Sequence, residues 1–425
     1  MFRTIVVASL LVATPAMAED LLPAVRRHVV QLGSDTAPEA NAAEAALLKM
    51  GPAILETLKS PAIKPFEEGV PAIKHRLSRI RKQLESQHSE DAAAATSITI
   101  DANKMPISQL LAALSKQSGN AIIDHRRAFG QVVTDREVSV KFDKTPFWQA
   151  LDQALDAAGM TVYDFAGQRQ IAVVDRDESE LARSVGASYS GPFRFEAASL
   201  IASRQLRRKS GTLQVTLNIA WEPRLTPIAL SQKLSLIEAT TPDGKPLKVK
   251  QPDAELEVPV GPGKTTTQLL IPLELPSRKV SQIASLRGTL HALLPGKMAK
   301  FRFDKLAKAR RVEKREGEVR VMLDQVRRNR QVWEVHVLVA FEKANEALQS
   351  HRGWIFQNRA YLLDAKGNTV KHIGFETTRQ TANEVGLAYF FAAEGGLDGY
   401  NFVYETPAVL IKKPVRFELK NLPLP

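Results

Sequence analysis

The chain has 425 residues, 44% of them apolar, with 58 Lys and Arg against 46 Asp and Glu and no cysteine. Such a composition is globular and the length suggests roughly three domains. The missing cysteine excludes disulfides, thiolate metal sites and cysteine nucleophiles, and the net charge of +12 points to an anionic counterpart.

Residues 1–18 read as a secretory signal peptide. Arg3 supplies the positive start, Ile5 to Ala13 an apolar run too short to span a bilayer, and Ala16-Met17-Ala18 a small-x-small cleavage site. No cysteine follows that run, so no lipoprotein anchor is expected, and no later run predicts a transmembrane helix. The expectation is a periplasmic or secreted protein. There the anionic counterpart is an envelope polymer or surface, not nucleic acid.

Residues 19–90 are predicted helical. Leu21, Leu22, Val25, Val29 and Leu32 share one face, Gly33 closes that helix, and Pro38 opens the next, which carries Ala40, Ala43, Leu47 and Met50. Gly51-Pro52 breaks it, with Ile54, Leu55 and Leu58 inward. Ile73, Leu77, Ile80 and Leu84 then form an amphipathic stripe backed by Lys74, Arg76, Arg79, Arg81 and Lys82. From Leu32-Gly33-Ser34-Asp35 through Met50-Gly51-Pro52-Ala53-Ile54, within residues 30–60, the chain resembles one HEAT-type helical repeat. A plain helical hairpin spacer is the alternative. A single repeat would have to dock on another domain.

Residues 97–176 form a doubled phrase. Ile98-Thr99-Ile100, Pro106-Ile107, Leu110-Leu111, Leu114 and Gly119 return 40 positions later as Val138-Ser139-Val140, Pro146-Phe147, Ala150-Leu151, Ala154 and Gly159. Each copy is an alternating strand, a helix opened by proline and a closing glycine. With Ala121 to Ile123, Met160 to Phe165 and Gln170 to Val174, the order is βαββαββ, the last pair turning at Ala166-Gly167. The phrases PISQLLAALSKQSGNAIID, VSVKFDKTPFWQALDQALDAAGMTVYDF and RQIAVVD resemble the short N-terminal domain shared by secretins and TonB-dependent signal transducers. The resemblance implies a periplasmic protein-docking element without catalytic residues, with an envelope protein as partner of residues 97–175. No plug or outer-membrane barrel pattern follows it. The loop from Asp124 to Glu137 is the module's most polar feature and reads as surface, and a titratable role for His125 is the sharper alternative.

From residue 190 the period is that of strands. Leu213, Val215, Leu217, Ile219 and Trp221 alternate with polar residues, and Pro242-Asp243-Gly244-Lys245 is a turn. Leu269 to Leu275, Leu286 to Leu293 and Phe301 to Phe303 continue the series. Val319, Val321 and Leu323 and then Trp333, Val335, Val337, Val339 and Phe341 begin a second one, which ends with Val415 to Leu419. The predicted fold is multidomain α+β: the helical segment, the βαββαββ module, and one or two β-sandwich, immunoglobulin-like domains at 190–308 and 309–425. One large irregular sheet is the second choice. Residues 343–352 suit a short helix.

Catalytic patterns fail one by one. Gly263-Lys264-Thr265 lacks the upstream glycine of a phosphate loop, and Gly186 to Ser190 misses the last glycine of a nucleophile elbow. The eight histidines show no metal-ligand spacing, and His336, alternating within an apolar strand, reads as structural. No cofactor, metal or catalytic residue is expected. The expected role is a non-enzymatic docking or scaffold protein of the cell envelope. In the basic stretch 300–330, Arg310, Arg311, Arg327 and Arg328 are candidate contacts to an anionic polymer or surface, with a solvated strand face as the bland reading. The alternative role is carbohydrate or cell-wall binding, with Trp354 as a stacking platform, because Trp221 and Trp333 fall on apolar strand faces. An enzyme whose site forms only in the fold is the third possibility.

Overall fold

The computed structural model describes residues 15–92, 94–164, 169–207, 210–258, 260–261, 263–341, 355–356, 358–381, 383–392 and 396–425. Most of the predicted signal peptide, the turn at Ala166-Gly167, the predicted helix at 343–352 and Trp354 lie outside them. The fold is mixed α+β, with a few helices and mostly strands in several sheets. It divides into two units, Met1–Ala93 and Ala94–Pro425.

The first unit holds α1 (Pro15–Gln31), α2 (Ala37–Lys49), α3 (Leu55–Leu58), α4 (Lys64–Gly69) and α5 (Pro71–Ala92). The predicted apolar stripes meet in one core. Val25, Val29, Leu47, Leu58, Ile73, Leu77, Ile80 and Leu84 are all buried in it. Gly51 has φ 72°, a conformation only glycine adopts cheaply, and Pro52 follows; together they end α2 and restart the chain. The basic face of α5 is partly tied down. Glu44 accepts Arg76 at 2.8 Å and Arg79 at 2.5 Å, and Arg81 reaches both Glu67 and the Leu58 carbonyl. Among the described residues, no helix is long and apolar enough to cross a membrane.

The second unit begins with β1 (Ser97–Pro106), α6 (Ile107–Ser118), β2 (Ala121–Asp124), β3 (Glu137–Pro146), α7 (Phe147–Ala158), β4 (Met160–Tyr163) and β5 (Gln170–Asp175). The doubled phrase becomes a pseudo-two-fold axis. β1 pairs antiparallel with β3, setting Ser97 opposite Pro146 and Pro106 opposite Glu137. Ile107 N donates to the Arg136 carbonyl and Phe147 N to that of Thr96, both at 2.8 Å. The repeat extends to backbone strain: Lys104 at φ 49° and Lys144 at φ 50° donate their amides to the Ser139 and Thr99 hydroxyls. Both helices end on left-handed glycines, Gly119 and Gly159. The symmetry breaks at β5, which lies between β2 and β4, parallel to the first and antiparallel to the second. Residues 130–135, at the matching place in the first copy, are a loop.

There follow β6 (Ser188–Ser190), β7 (Phe193–Gln205), β8 (Ser210–Trp221), β9 (Ala229–Lys233), β10 (Glu238–Thr240), β11 (Pro246–Leu247), β12 (Glu255–Val258), β13 (Thr266–Glu274), β14 (Gln282–Phe303), β15 (Arg310–Glu316), β16 (Val319–Asn329), β17 (Val332–Phe341), β18 (Arg359–Leu363), β19 (Thr369–Lys371), β20 (Gly374–Gln380), β21 (Glu384–Phe391) and β22 (Asn401–Pro423). They build a four-stranded sheet, β13-β8-β7-β6, a five-stranded sheet, β15-β16-β17-β21-β20, and an eight-stranded sheet. In the last, β14 and β22 pair from Gln282–Pro423 to Phe303–Phe402. The four-stranded sheet covers one end of this ribbon, where Phe195 stacks on Phe417 at 4.9 Å. The five-stranded sheet covers the other, where Phe301, Phe303, Phe402 and Tyr404 share a core with Val321, Val337 and Leu387.

This ribbon differs from the short strands read in the sequence. Leu286 to Leu293 and Phe301 to Phe303 are parts of one strand, and Val415 to Leu419 is the end of another. Pro295, Pro407 and Pro414 look like strand breakers. In the fold, β14 beyond Leu293 and β22 beyond Glu405 are paired only to each other among the described residues. A proline without an N–H can face such a free side. The ladder therefore joins strands on either side of residue 308, where the sequence suggested a division. The β15–β16 turn locks onto the ribbon: Gly317 has φ 60°, a Cβ there would lie 2.4 Å from the Ala408 carbonyl oxygen, and Glu318 N donates to that oxygen.

Candidate interaction surfaces

The seam between the module and the four-stranded sheet is organised by two buried carboxylates. On α7, Leu151, Ala154 and Leu155 face the module core, while Asp152 lies one step around the helix, toward residues 183–194. It is fully buried and accepts Arg183 Nε at 2.9 Å, Arg194 Nε at 2.5 Å and the Tyr189 hydroxyl at 2.7 Å. Burial alone would raise this carboxyl. The charges of Arg183 and Arg194 and the bonds from Arg194 and Tyr189 outweigh it and hold the group below its ordinary value. The Tyr189 hydroxyl is pushed up, by burial first and then by the Asp152 charge. One turn on, Asp156 accepts the amides of Arg183 and Ser184, and Trp148 Nε1 donates to the Pro192 carbonyl at 3.1 Å.

Glu222, also fully buried, follows Trp221 at the end of β8. It accepts Thr96 N at 2.9 Å, Thr96 Oγ1 at 2.6 Å, Asn120 Nδ2 at 3.1 Å and Arg224 Nε at 2.7 Å. Asn120 returns the contact by accepting Arg224 N. Each carboxylate thus accepts donors from across the seam, and Glu222 also accepts Arg224 from its own side. A carboxylate whose oxygens are saturated with donors in this way acts as a clamp across the seam.

The module's loop is less polar in space than in sequence. Arg126, read as part of a surface loop, is 1% exposed. It pairs with Asp124 at 2.7 Å and donates to the Thr134 carbonyl. Its guanidinium, through the hydrogen bonds, holds the Asp124 carboxyl below its usual range. Gln131 bonds Asp175 in both directions, and Ser108 donates twice to Asp135. On this braced strap Phe129, Val132 and Val133 point outward, with Val132 77% exposed, and Phe129 packs edge-on against Tyr163 at 4.6 Å.

The candidate arginines are spread over the five-stranded sheet. Arg310 and Arg311 lie on its edge strand β15, where charge discourages further strand pairing. Arg311 is 3.8 Å from Asp324. Arg327 bonds Glu334, which also accepts Asn329 and meets His336 at 2.9 Å. Arg328 covers the Trp333 ring at 5.9 Å. Around them Arg315 and Arg320 share Glu313, and Lys300 and Arg359 flank Tyr361 beside Glu405. In the basic stretch, Arg311, Arg315, Arg320 and Arg327 thus have carboxylate partners. Trp221 is fully buried and Trp333 half-buried. Among the described residues, no group of three or more acidic or histidine side chains could hold a metal ion.

Sequence reading missed Asp152 and Glu222. An acid bordering the apolar face of α7 and an acid right after a buried strand were the available signals, but their partners lie up to 126 residues away. Neither a known protein-family model nor a curated protein matches this chain.

Proposed function

We propose that the chain is an exported, non-enzymatic docking or scaffold protein of the bacterial cell envelope. In this reading residues 97–176 are a docking module of the secretin and TonB-transducer type, and the β-rich remainder is a pair of immunoglobulin-like sandwiches sharing the long ribbon. The strap carries the proposal. Three exposed apolar side chains, Phe129, Val132 and Val133, stand on a loop braced at both ends. The module beneath them is clamped to the rest of its unit through Asp152 and Glu222. A preordered apolar patch loses little entropy on binding, which favours recognition of a partner protein.

The test is site-specific photocrosslinking in cells with the full chain, the crosslinker replacing Val132. One discrete adduct, lost when Phe129→Ser and Val133→Asp are added, is the expected result. Absence of any adduct at Val132, with the protein exported and folded, would refute the reading.

A further inference from the structure

The end of the four-stranded sheet remote from the module has an unusual surface. Ala220, near one end of β8, belongs to the module's core, whereas Gly211 and Thr212 mark the other end, roughly 30 Å along the strand. Three segments meet there. The β7–β8 hairpin brings Arg204 and Arg207, residues 248–250 bring Lys248, and the link after β13 brings Arg278 and Lys279, all exposed. Their proximity is set by backbone bonds: Glu274 N to the Lys248 carbonyl at 2.8 Å, Lys250 N to that of Pro272 at 2.9 Å, and Leu275 N to that of Gly211 at 3.5 Å. Residues 197–213, 248–250 and 273–281 contain one carboxylate, Glu274. Unlike Arg311, Arg315, Arg320 and Arg327, these five cations form no ion pair among the described residues. Among them stands Leu206, 86% exposed, with Ile201 at 55% on the same hairpin.

Cations alone would suit any polyanion. A leucine held beyond the end of a strand, between arginines, gains nothing from a hydrated polymer. It gains from the boundary between headgroups and acyl chains, where the arginines meet phosphate. We infer that this end of the β7–β8 hairpin binds the surface of an anionic phospholipid bilayer, with Leu206 entering the interface. The module would then face away from the membrane, at the far end of the same sheet. This contact adds to the docking role and does not depend on it.

The full chain without its first 18 residues is sedimented with vesicles of phosphatidylcholine containing 30% phosphatidylglycerol, and with pure phosphatidylcholine. Binding to the anionic vesicles only is expected, weakening as salt rises. Joint Arg204→Ala and Arg207→Ala should lower the partition coefficient about 30-fold, near fivefold per charge. Leu206→Ser should lower it about tenfold. Arg311→Ala with Arg328→Ala should leave it unchanged. All are exposed positions, and an unaltered melting temperature identifies each variant as folded. Equal binding to both vesicles, no binding, or indifference to the Arg204 and Arg207 replacements would overturn the inference. Indifference to Leu206→Ser, with the arginine effect intact, would overturn the bilayer in favour of a soluble polyanion.

Discussion

Asp152 is the most exacting test of how the module is held. Asp152→Asn keeps the shape of the side chain and removes its charge. Arg183, 9% exposed, would be left without its buried counter-ion, and Arg194, 3% exposed, would keep only Glu196 at 2.7 Å. Breaking a buried pair from one side costs about 3–5 kcal/mol, because the remaining charge stays desolvated. Glu196 still neutralises part of the Arg194 charge, so the lower half of that range applies. A loss of this size lowers the melting temperature on the order of 10 °C for a unit this large. Trp148 and Trp221 lie near the seam, so urea unfolding followed by tryptophan fluorescence reads it directly. A double-mutant cycle with Arg194→Gln isolates the pair, and a coupling of about 2 kcal/mol or more is expected. A pH series adds a second readout. The folded carboxyl lies below its unfolded value, so its stabilisation is present above the unfolded pKa and is lost as pH falls through the folded one. The acid sensitivity of the wild type should therefore be blunted in Asp152→Asn. A loss under 1 kcal/mol, with additive single variants, would show that packing at Trp148 and Ala220 holds the seam without the charge cluster.

The other seam carboxylate should behave alike: Glu222→Gln exchanges an acceptor for a donor facing Asn120 and Thr96, and a loss of about 2–4 kcal/mol in urea unfolding is expected. Gly317→Val combines a positive φ with a Cβ 2.4 Å from the Ala408 oxygen, and should destabilise by about 3 kcal/mol or more in the same assay. Glu334, pulled down to about 2 against its burial by bonds from Arg327, Asn329 and His336, contributes stability above about pH 4.5 that fades toward pH 2. Glu334→Gln should flatten that part of the stability curve. Arg311→Ala and Arg328→Ala should each shift stability by no more than about 0.5 kcal/mol, since both side chains are exposed on a solvated face.

Much of the local structure was legible because it depends on neighbours in sequence. The stripe from Ile73 to Leu84, the prolines at 106 and 146, the glycines at 119 and 159 and the alternation from Leu213 to Trp221 each name an element and its buried face. The 40-residue repeat named the strand and helix of each copy, and the fold pairs the two copies as β1 and β3 through equivalent bonds. The long ribbon was hidden by Pro295, Pro407 and Pro414. A proline forbids a strand only where its missing N–H would face a partner, and partners are a property of the sheet. The loop from Asp124 to Glu137 lies at the surface as read, with Arg126 the exception. Arg126 counts as polar in a sequence, but Asp124 and the Thr134 carbonyl let it be buried while Phe129 and Val132 stay out.

The candidate sites divide along the same line. Charge density along the chain singled out residues 300–330, where the β-ladder sets Arg311, Arg320 and Arg327 beside carboxylates of neighbouring strands. Five cations gather around Leu206 from three segments that are far apart in sequence. By itself the amino-acid order determined the helices, the strands, their buried faces and the internal repeat, since these follow from side-chain periodicity and backbone preference over a few residues. Which charges are paired, which acids are clamped and which apolar residues remain in water was decided by the tertiary fold, because Coulomb and hydrogen-bond partners are set by distance in space.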